Sequence, residues 1–507
     1  MSAEALSYEN VKITPFGQMR LEQFSIEQMV NEHGKLTFSG TITKEQHEEY
    51  MQTIQALTPV SVQQVMDKGD NKDLFCGLIT MLEMRKVLDV FYIQAEAQTY
   101  SYMLDLKLNT RSFQNPSMNY ASLAKEVGNT YKNYDVIYAV GSDEPIGKFV
   151  LQYYETDWTF LKRMAARKNT VLLPAAHLSN VKIFFGIPDA DTDEHLENYN
   201  YIVKKDLSSF LLQSQNSKFP IHESDFVHYE VTTHRVLKLG DVIRFQNRPY
   251  CIQKCISTME KGLMVHRYTI TSRKAMNKAP RYNDGIRGAS IGGRVLTIQR
   301  DTVKVQLEID GQAQESTAYA FPYATSYASE DGSGWYCMPE KGDSVRVHFP
   351  SPKEREAYAI SSVNTYSEEA AQVQTNSGGG SSGVMVAAPS GGGSGSGTAA
   401  GGDRMSDPNV RYFRNPAGME VKLTPDNVQI SANNGQSIIT LEASGAVTIM
   451  GQKEVSLHSQ ESVRIRAEKS LLLTAKNQIV IGTDKGGKIT LDESGNAKLA
   501  GTEVFTN

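Results

Sequence analysis

Cysteine is scarce in this sequence. Cys76, Cys251, Cys255 and Cys337 are the four in 507 residues, too few and too scattered for a disulfide framework. Cys251 and Cys255 stand four apart in an expected strand, which would place them on one face. Buried apolar thiols are expected there rather than a redox or metal pair. Long apolar runs are missing too. No stretch of about 18 apolar residues occurs, so no membrane-crossing helix is expected. Net positive charge is also absent. A formal charge of −5 argues against nucleic acid as the main partner, because phosphate recognition needs a basic surface. The opening residues MSAEALSYEN lack a basic, apolar leader. A cytoplasmic chain is expected, moved out only by a dedicated machine.

Chemical motifs are thin as well. Neither G-x-S-x-G, H-E-x-x-H nor a serine-histidine-aspartate order is found. Gly482 to Ile489, GTDKGGKI, approaches a phosphate loop, but Ile489 stands where Ser or Thr would hold magnesium. A strand rather than a helix is expected to follow, so a turn is the better reading. His222, His228 and His234 are six apart. On a single strand, neighbours would be about 20 Å apart, too far for one metal. Glu155 and Asp157 mimic a catalytic carboxylate pair, but capping of a following helix by Asp157 explains them more simply. No enzyme, cofactor or metal is therefore expected.

What is present is strand. The chain is 40% hydrophobic and 21% charged, enough for real cores in about two to four domains. Up to residue 110, VKITPF, GKLTFSGTIT and KVLDVFYIQAEAQTYSYMLDL have strand character, interrupted by a helical EQHEEYMQTIQ. Residues 119–169 turn helical. NYASLAKEVGNTY is one amphipathic piece, and TDWTFLKRMAARKN is another, with Thr156 or Asp157 as its cap. Strands return over 170–282 in NVKIFFGI, DFVHYEVTTHRV, DVIRFQNRPYCIQKCIS and LMVHRYTITS. GGRVLTIQ, TVKVQLEI, TAYAFPYA, DSVRVHF and EAYAISSV then make five short strands, the pattern of an OB-fold barrel. From Ser377 to Gly402 the composition is that of a Gly/Ser-rich flexible coil. Beyond it, 407–507 reads as strand throughout.

The end of the chain holds the strongest pattern. Ile439 and Leu441, Val447 and Ile449, Val455 and Leu457, Val463 and Ile465, Leu471 and Leu473, and Ile479 and Ile481 repeat every eight residues. Each pair points one way while the residues between point the other. One octad is at most about 26 Å of extended chain, too short to enclose a hydrophobic core, since single-chain solenoids use roughly 18 residues per layer. Three octads from one chain per turn would make only two layers. Three chains side by side, each giving one octad per layer, solve the problem. The octads therefore predict a homotrimeric, rod-shaped β-prism with those twelve residues inside. Ile489 and Leu491 lie two residues off the grid, so the segment after Ile481 is expected to form the rod's end.

The whole arrangement resembles the VgrG-type spike proteins of contractile injection systems, relatives of phage tail hub and puncturing-spike proteins. The resemblance rests on Leu74–Thr80 (LFCGLIT), Leu104–Ser117 (LDLKLNTRSFQNPS) and Gln152–Ala166 (QYYETDWTFLKRMAA). The last fits the family pattern Q-Y-x-E-[ST]-D-x-x-F-[LV]-x-R through Gln152, Tyr153, Glu155, Thr156, Asp157, Phe160, Leu161 and Arg163. Leu237–Phe245 resembles a second hub barrel, and Pro339, Gly342 and Asp343 a barrel turn. Two features depart from the family. A Gly/Ser-rich stretch stands where the family has a short junction, and the octads lack the repeated Val-Gly. The resemblance implies a mainly β, multidomain chain: an α+β hub with two barrel-like units over 1–282, an OB-fold over 285–366, a linker over 367–405 and a triple-stranded β-helical spike over 406–507. It implies a trimeric hub and membrane-puncturing spike that seats on an Hcp-like tube protein and baseplate proteins. A PAAR-like tip protein, an effector cargo and contact with a target envelope on firing belong to the same picture. The rival reading is a trimeric phage tailspike with carbohydrate-binding or depolymerase activity, which would need paired carboxylates in a groove.

Overall fold

The computed structural model describes residues 6–65, 71–141, 143–189, 191–196, 200–216, 220–311, 315–325, 337–361, 409–415 and 417–503. The Gly/Ser-rich stretch lies outside them. The chain divides into two compact units, 1–363 and 364–507, and is mainly β with multiple sheets.

The largest sheet has twelve strands. Its main path runs Val11–Thr14, Pro59–Gln64, Lys72–Val87, Val90–Thr99, Lys35–Ile42, Arg20–Met29, Arg248–Glu260, Leu263–Thr271, Val227–Thr233 and Tyr201–Lys205. Lys35–Ile42 shows why these segments are strands: Leu36, Phe38, Gly40 and Ile42 are buried and the residues between are not, a period of two with one face on a core. Ser25–Met29 pairs with Lys254–Thr258, so segments over 200 residues apart join two cores, one around Phe38 and Phe75, the other around Phe245 and Tyr268.

Helices α1 (Lys44–Thr53), α2 (Tyr120–Gly128), α3 (Asp157–Arg167) and α4 (Leu207–Asn216) punctuate the unit. Thr156 caps α3, its Oγ1 accepting from the Thr159 amide at 3.2 Å. Asp157 is therefore not the cap. The inner face of α3 carries Trp158, Phe160, Leu161, Met164 and Ala165, packed on Leu123 and Val127 of α2. Each such large side chain contributes about 1.5–3 kcal/mol by burial.

All five expected strands of the region from 290 occur, ordered Ala320–Pro322, Thr302–Leu307, Ser290–Gln299, Ser344–His348, Tyr358–Ser361. A parallel bridge joins Tyr323 to Ala359, next to the two outer strands. Phe149 and Leu151, from the segment leading to α3, sit in the same core as Val303, Phe321 and Val347.

The second unit holds two antiparallel meanders. The first is Arg411–Arg414, Glu420–Leu423, Asn427–Ala432, Ser437–Glu442 and Val447–Gly451; the second is Gln478–Gly482, Lys488–Asp492 and Ala497–Ala500. Residues 452–477, expected as strands, belong to none within the chain. A strand needs a neighbour to take its ladder hydrogen bonds, and among the described residues the chain supplies none.

Other expectations need correction. The run from Lys86 to Leu106 is not one strand: a turn at Leu88 and Asp89 starts a hairpin and a 3-10 turn, Tyr100–Asp105, ends it. A register shift between Ile252 and Lys254 breaks the alternation between Cys251 and Cys255. They enter different cores, Cys251 beside Val30 and Val171 and Cys255 beside Ile243 and Tyr268. Burial pushes the Cys251 thiol up to about 11, as expected of a thiol in apolar surroundings. His222, His228 and His234 do not share a strand, since Val227–Thr233 contains only His228. Helix α4 and the strands Arg20–Met29, Pro59–Gln64 and Lys72–Val87 went unread in the sequence.

Candidate functional site

Two arrangements stand out, one in each unit. The first is built on strand Val150–Thr156. Gln152 and Glu155 are three apart, so a regular strand would send them to opposite faces. Tyr154 instead adopts a left-handed φ of +45°, and the paired strand Leu108–Phe113 shifts register between Asn109 and Arg111. This bulge turns both Gln152 and Glu155 inward while Tyr154 stays 69% exposed.

Asp157, wholly buried at the start of α3, gathers four donors. Arg111 Nη2 donates to Oδ1 at 2.6 Å, Gln152 Nε2 at 2.8 Å and Asn109 Nδ2 at 3.0 Å. The Tyr131 hydroxyl donates to Oδ2 at 2.7 Å. Burial, and then this bond to Asp157, push the Tyr131 hydroxyl well above its usual range. Arg111 Nε also donates to Gln152 Oε1 at 2.7 Å, so Gln152 links both charged groups.

Nearly two turns along α3, Arg163 donates to the Leu151 carbonyl at 2.6 Å, pairs with Glu155, and reaches Glu354 Oε1 at 2.6 Å. Arg167 holds both Glu354 oxygens, at 2.6 and 2.5 Å. Glu354 begins a 3-10 turn before the last strand of the five-stranded sheet. Burial opposes its charge, but Arg167 and Arg163 outweigh that cost and hold its carboxyl below the usual range. At Glu155 burial wins over the pull of Arg163, and the carboxyl is raised. Phe160 stacks on Phe113 at 5.4 Å, and the Arg163 guanidinium lies 5.2 Å from its ring. Five of the eight pattern residues, Gln152, Glu155, Asp157, Phe160 and Arg163, thus converge. Their charged groups are engaged by other protein groups, so the cluster fastens α3 to the five-stranded sheet rather than presenting a reactive atom. Asp310 adds a second fastening, accepting from the Ser112 amide at 2.8 Å and its hydroxyl at 2.5 Å.

A further cluster had no sequence signal. His33 Nδ1 is 2.8 Å from Ser101 Oγ, and His33 Nε2 is 3.4 Å from Asp105 Oδ2. It has the composition of a catalytic triad, but Ser101 is 2% exposed and its hydroxyl also meets Thr99 Oγ1 at 2.9 Å. Asp105 is further bonded by Thr156, and its carboxyl is lowered, first by the His33 bond. The three residues brace the 3-10 turn against α3.

The second arrangement is a ladder of uncovered apolar side chains. Ile439 lies opposite Ile449, and Leu441 opposite Val447. The same row continues across the meander through Ile430, Val421 and Phe413, and the next row through Val428 and Leu423. These residues share one face, and Phe413, Val421, Ile430, Ile439 and Ile449 line an open cleft of about 490 Å³ with Met419 and Val455. Ile449 and Phe413 are 53% and 64% exposed. Val455, Leu457, Val463, Ile465, Leu471 and Leu473 occupy the unpaired stretch and are 51–67% exposed. In the second meander Ile479 lies opposite Leu491, and Ile481 opposite Ile489 and then Leu499. Ile489 and Leu491 leave the octad grid because a hairpin turn replaces the corner, yet they keep the same face. GTDKGGKI is that turn, with the Thr483 amide bonded to Gly487 O at 2.9 Å.

The sequence reading missed Phe413, Val421, Leu423, Val428 and Ile430. The usable signal was turn chemistry: Asn434-Gly435 and Ser444-Gly445 put glycine at a φ of +90° between alternating segments.

No family model and no curated protein matches the chain. Solved structures do. A chain of the Francisella PdpA–VgrG complex in its half-lidded state overlays with a TM-score of 0.50 at 8% identity, covering 87% of this chain and 87% of that one. The E. coli c3393 protein, a type VI secretion component described as similar to the T4 phage tail proteins gp27 and gp5, gives 0.49 at 12% identity over 69% of this chain and 98% of its own. A 43 kDa tail protein of prophage MuSo2 from Shewanella oneidensis gives 0.40 at 10% identity over 54% and 99%. The first overlay shows a shared fold; the other two are too loose to argue from. The resemblance to VgrG-type proteins read in the sequence is thus also a resemblance of fold.

Proposed function

We propose that three copies of this chain assemble into the hub and spike of a contractile injection machine. One observation carries the reading. From Phe413 to Leu499 a row of mostly exposed apolar side chains recurs in both meanders and in the octads between them, and residues 452–477 find no strand partner among the described residues of their own chain. A single copy would leave that row in water and the backbone of its middle unpaired. Two further copies related by a threefold axis would cover the row and take up the ladder bonds, closing a prism with no free edge. Such a rod resists bending and peeling, which is what force transmission requires.

In this reading the twelve-stranded sheet belongs to a ring that seats on a tube protein and the baseplate. The five-stranded sheet, joined by the Tyr323–Ala359 bridge, is an OB-fold at the spike root, and the buried lock around Arg163 couples it to the hub. The protein acts mechanically, without catalysis. It assembles in the cytoplasm and leaves the cell on contraction, carrying a tip protein or cargo. The PdpA–VgrG complex lends the partner role support by its composition. Light scattering of the full chain is expected to return three chain masses, with needle-like particles in micrographs. A folded protein of one chain mass would overturn the proposal.

A further inference from the structure

The face of the rod opposite the apolar row is not uniformly polar. In octad 463–470 the trimeric reading makes Val463 and Ile465 part of the inward row, and in the extended strand it requires, Arg464 and Arg466 would alternate to the other side. Both are exposed, and among the described residues neither makes an ion pair or hydrogen bond within its chain. Lys469 offsets Glu468 at the corner, which leaves the two arginines as the net charge of this octad in a chain whose total is −5. The next outward position toward the C-terminus is Leu472, 83% exposed. After it comes Val480, 46% exposed, on the far side of strand Gln478–Gly482 from Ile479 and Ile481. Core packing explains none of these four residues.

Resting on the trimeric reading, we propose that this part of the rod is a lipid-binding belt. Two arginines from each copy ring the rod in one layer. Leu472 follows one strand spacing nearer the C-terminus, about 4.8 Å on, and Val480 one further. A ring of guanidinium groups beside a ring of exposed aliphatic groups matches the boundary of an anionic bilayer, where phosphates meet acyl chains. Charge alone would fit any polyanion, but the adjacent apolar ring selects the lipid surface. The belt grips the target bilayer as the rod's end passes through it.

The test is co-sedimentation of the full-length protein with phosphatidylglycerol-containing vesicles, phosphatidylcholine vesicles and duplex DNA, with light scattering on each sample. The wild type is expected to bind the anionic vesicles, to ignore the neutral ones, and to bind duplex DNA more weakly. Arg464→Gln with Arg466→Gln, which removes six arginines from the ring, should lower anionic-vesicle binding by well over tenfold with the trimer intact, and Leu472→Ser should weaken vesicle binding without altering DNA binding. A trimer that ignores anionic vesicles, a double variant that binds them like the wild type, or DNA binding as tight as vesicle binding would overturn the belt alone. A monomeric wild type would overturn the belt and the trimer together.

Discussion

Arg163 Nη1 and Glu354 Oε1 lie 2.6 Å apart although 191 positions separate them in the chain. Both side chains are 3% exposed. A buried charge is tolerable only with its partner in place, so removing one member is costly. Glu354→Gln leaves Arg163 with Glu155 alone and Arg167 with no full countercharge. A loss of about 3–5 kcal/mol is expected, read as a fall in thermal midpoint. Arg163→Lys should lose nearly as much, because an ammonium cannot span Leu151 O, Glu155 and Glu354 at once. Equal stability of Arg163→Lys and wild type would show that the fork geometry is irrelevant.

The two carboxylates paired with Arg163, Glu354 and Glu155, set a pH dependence with two opposed parts. Glu354 is held below its ordinary value of 4.5, so its contribution is full above 4.5 and is lost as pH falls through its folded value. Glu155 is raised above 4.5, so its ionisation costs stability as pH rises from 4.5 through its folded value. The wild type is therefore expected to weaken on acidification below 4.5, and Glu155→Gln to lose less stability near neutral pH than Glu354→Gln. Thermal melts of all three proteins between about pH 3 and 7 measure both slopes. An acid-side slope that survives unchanged in Glu354→Gln would assign it to other groups.

Tyr154 holds the bulge that brings Gln152 and Glu155 to one side. A non-glycine residue at φ +45° carries a conformational cost, and this side chain is mostly in solvent. Tyr154→Gly should therefore be neutral or gain up to about 1 kcal/mol, whereas Tyr154→Val should lose about 1–2 kcal/mol. Denaturant unfolding separates the two. If valine were tolerated as well as glycine, the left-handed backbone would not be what the position requires.

Legibility in the sequence followed the range over which each pattern is enforced. The octads were readable because one spacing of apolar pairs repeats without interruption from Ile439 to Ile481. Phe413, Val421 and Ile430 lie on the same row but were missed, because hairpin turns of unequal length set their spacing. The five strands after Ser290 were readable from local alternation. The spacing of Gln152, Glu155, Asp157, Phe160 and Arg163 was visible, but not its purpose. Glu354, Arg111 and Asp310, which complete the fastening, come from distant segments. Cys251 and Cys255 misled for the opposite reason, because a bulge invisible in the sequence flips the alternation between them.

Ile465 and Ser456 test the assignment of the rod's inside. Ile465 is 64% exposed in the single chain; the trimeric reading puts it on the inward row and puts Ser456, between Val455 and Leu457, on the other face. In a closed trimer Ile465→Asp would place three carboxylates around the axis, where neither water nor a countercharge reaches them. The variant is expected to lose the trimer, while Ser456→Asp leaves it intact because its carboxylates remain in water. Size-exclusion chromatography with light scattering reads both. Circular dichroism confirms that the first unit, whose cores do not depend on the rod, stays folded in each variant. A trimeric Ile465→Asp would place that row outside the rod, and loss of the trimer in Ser456→Asp would reverse the two faces.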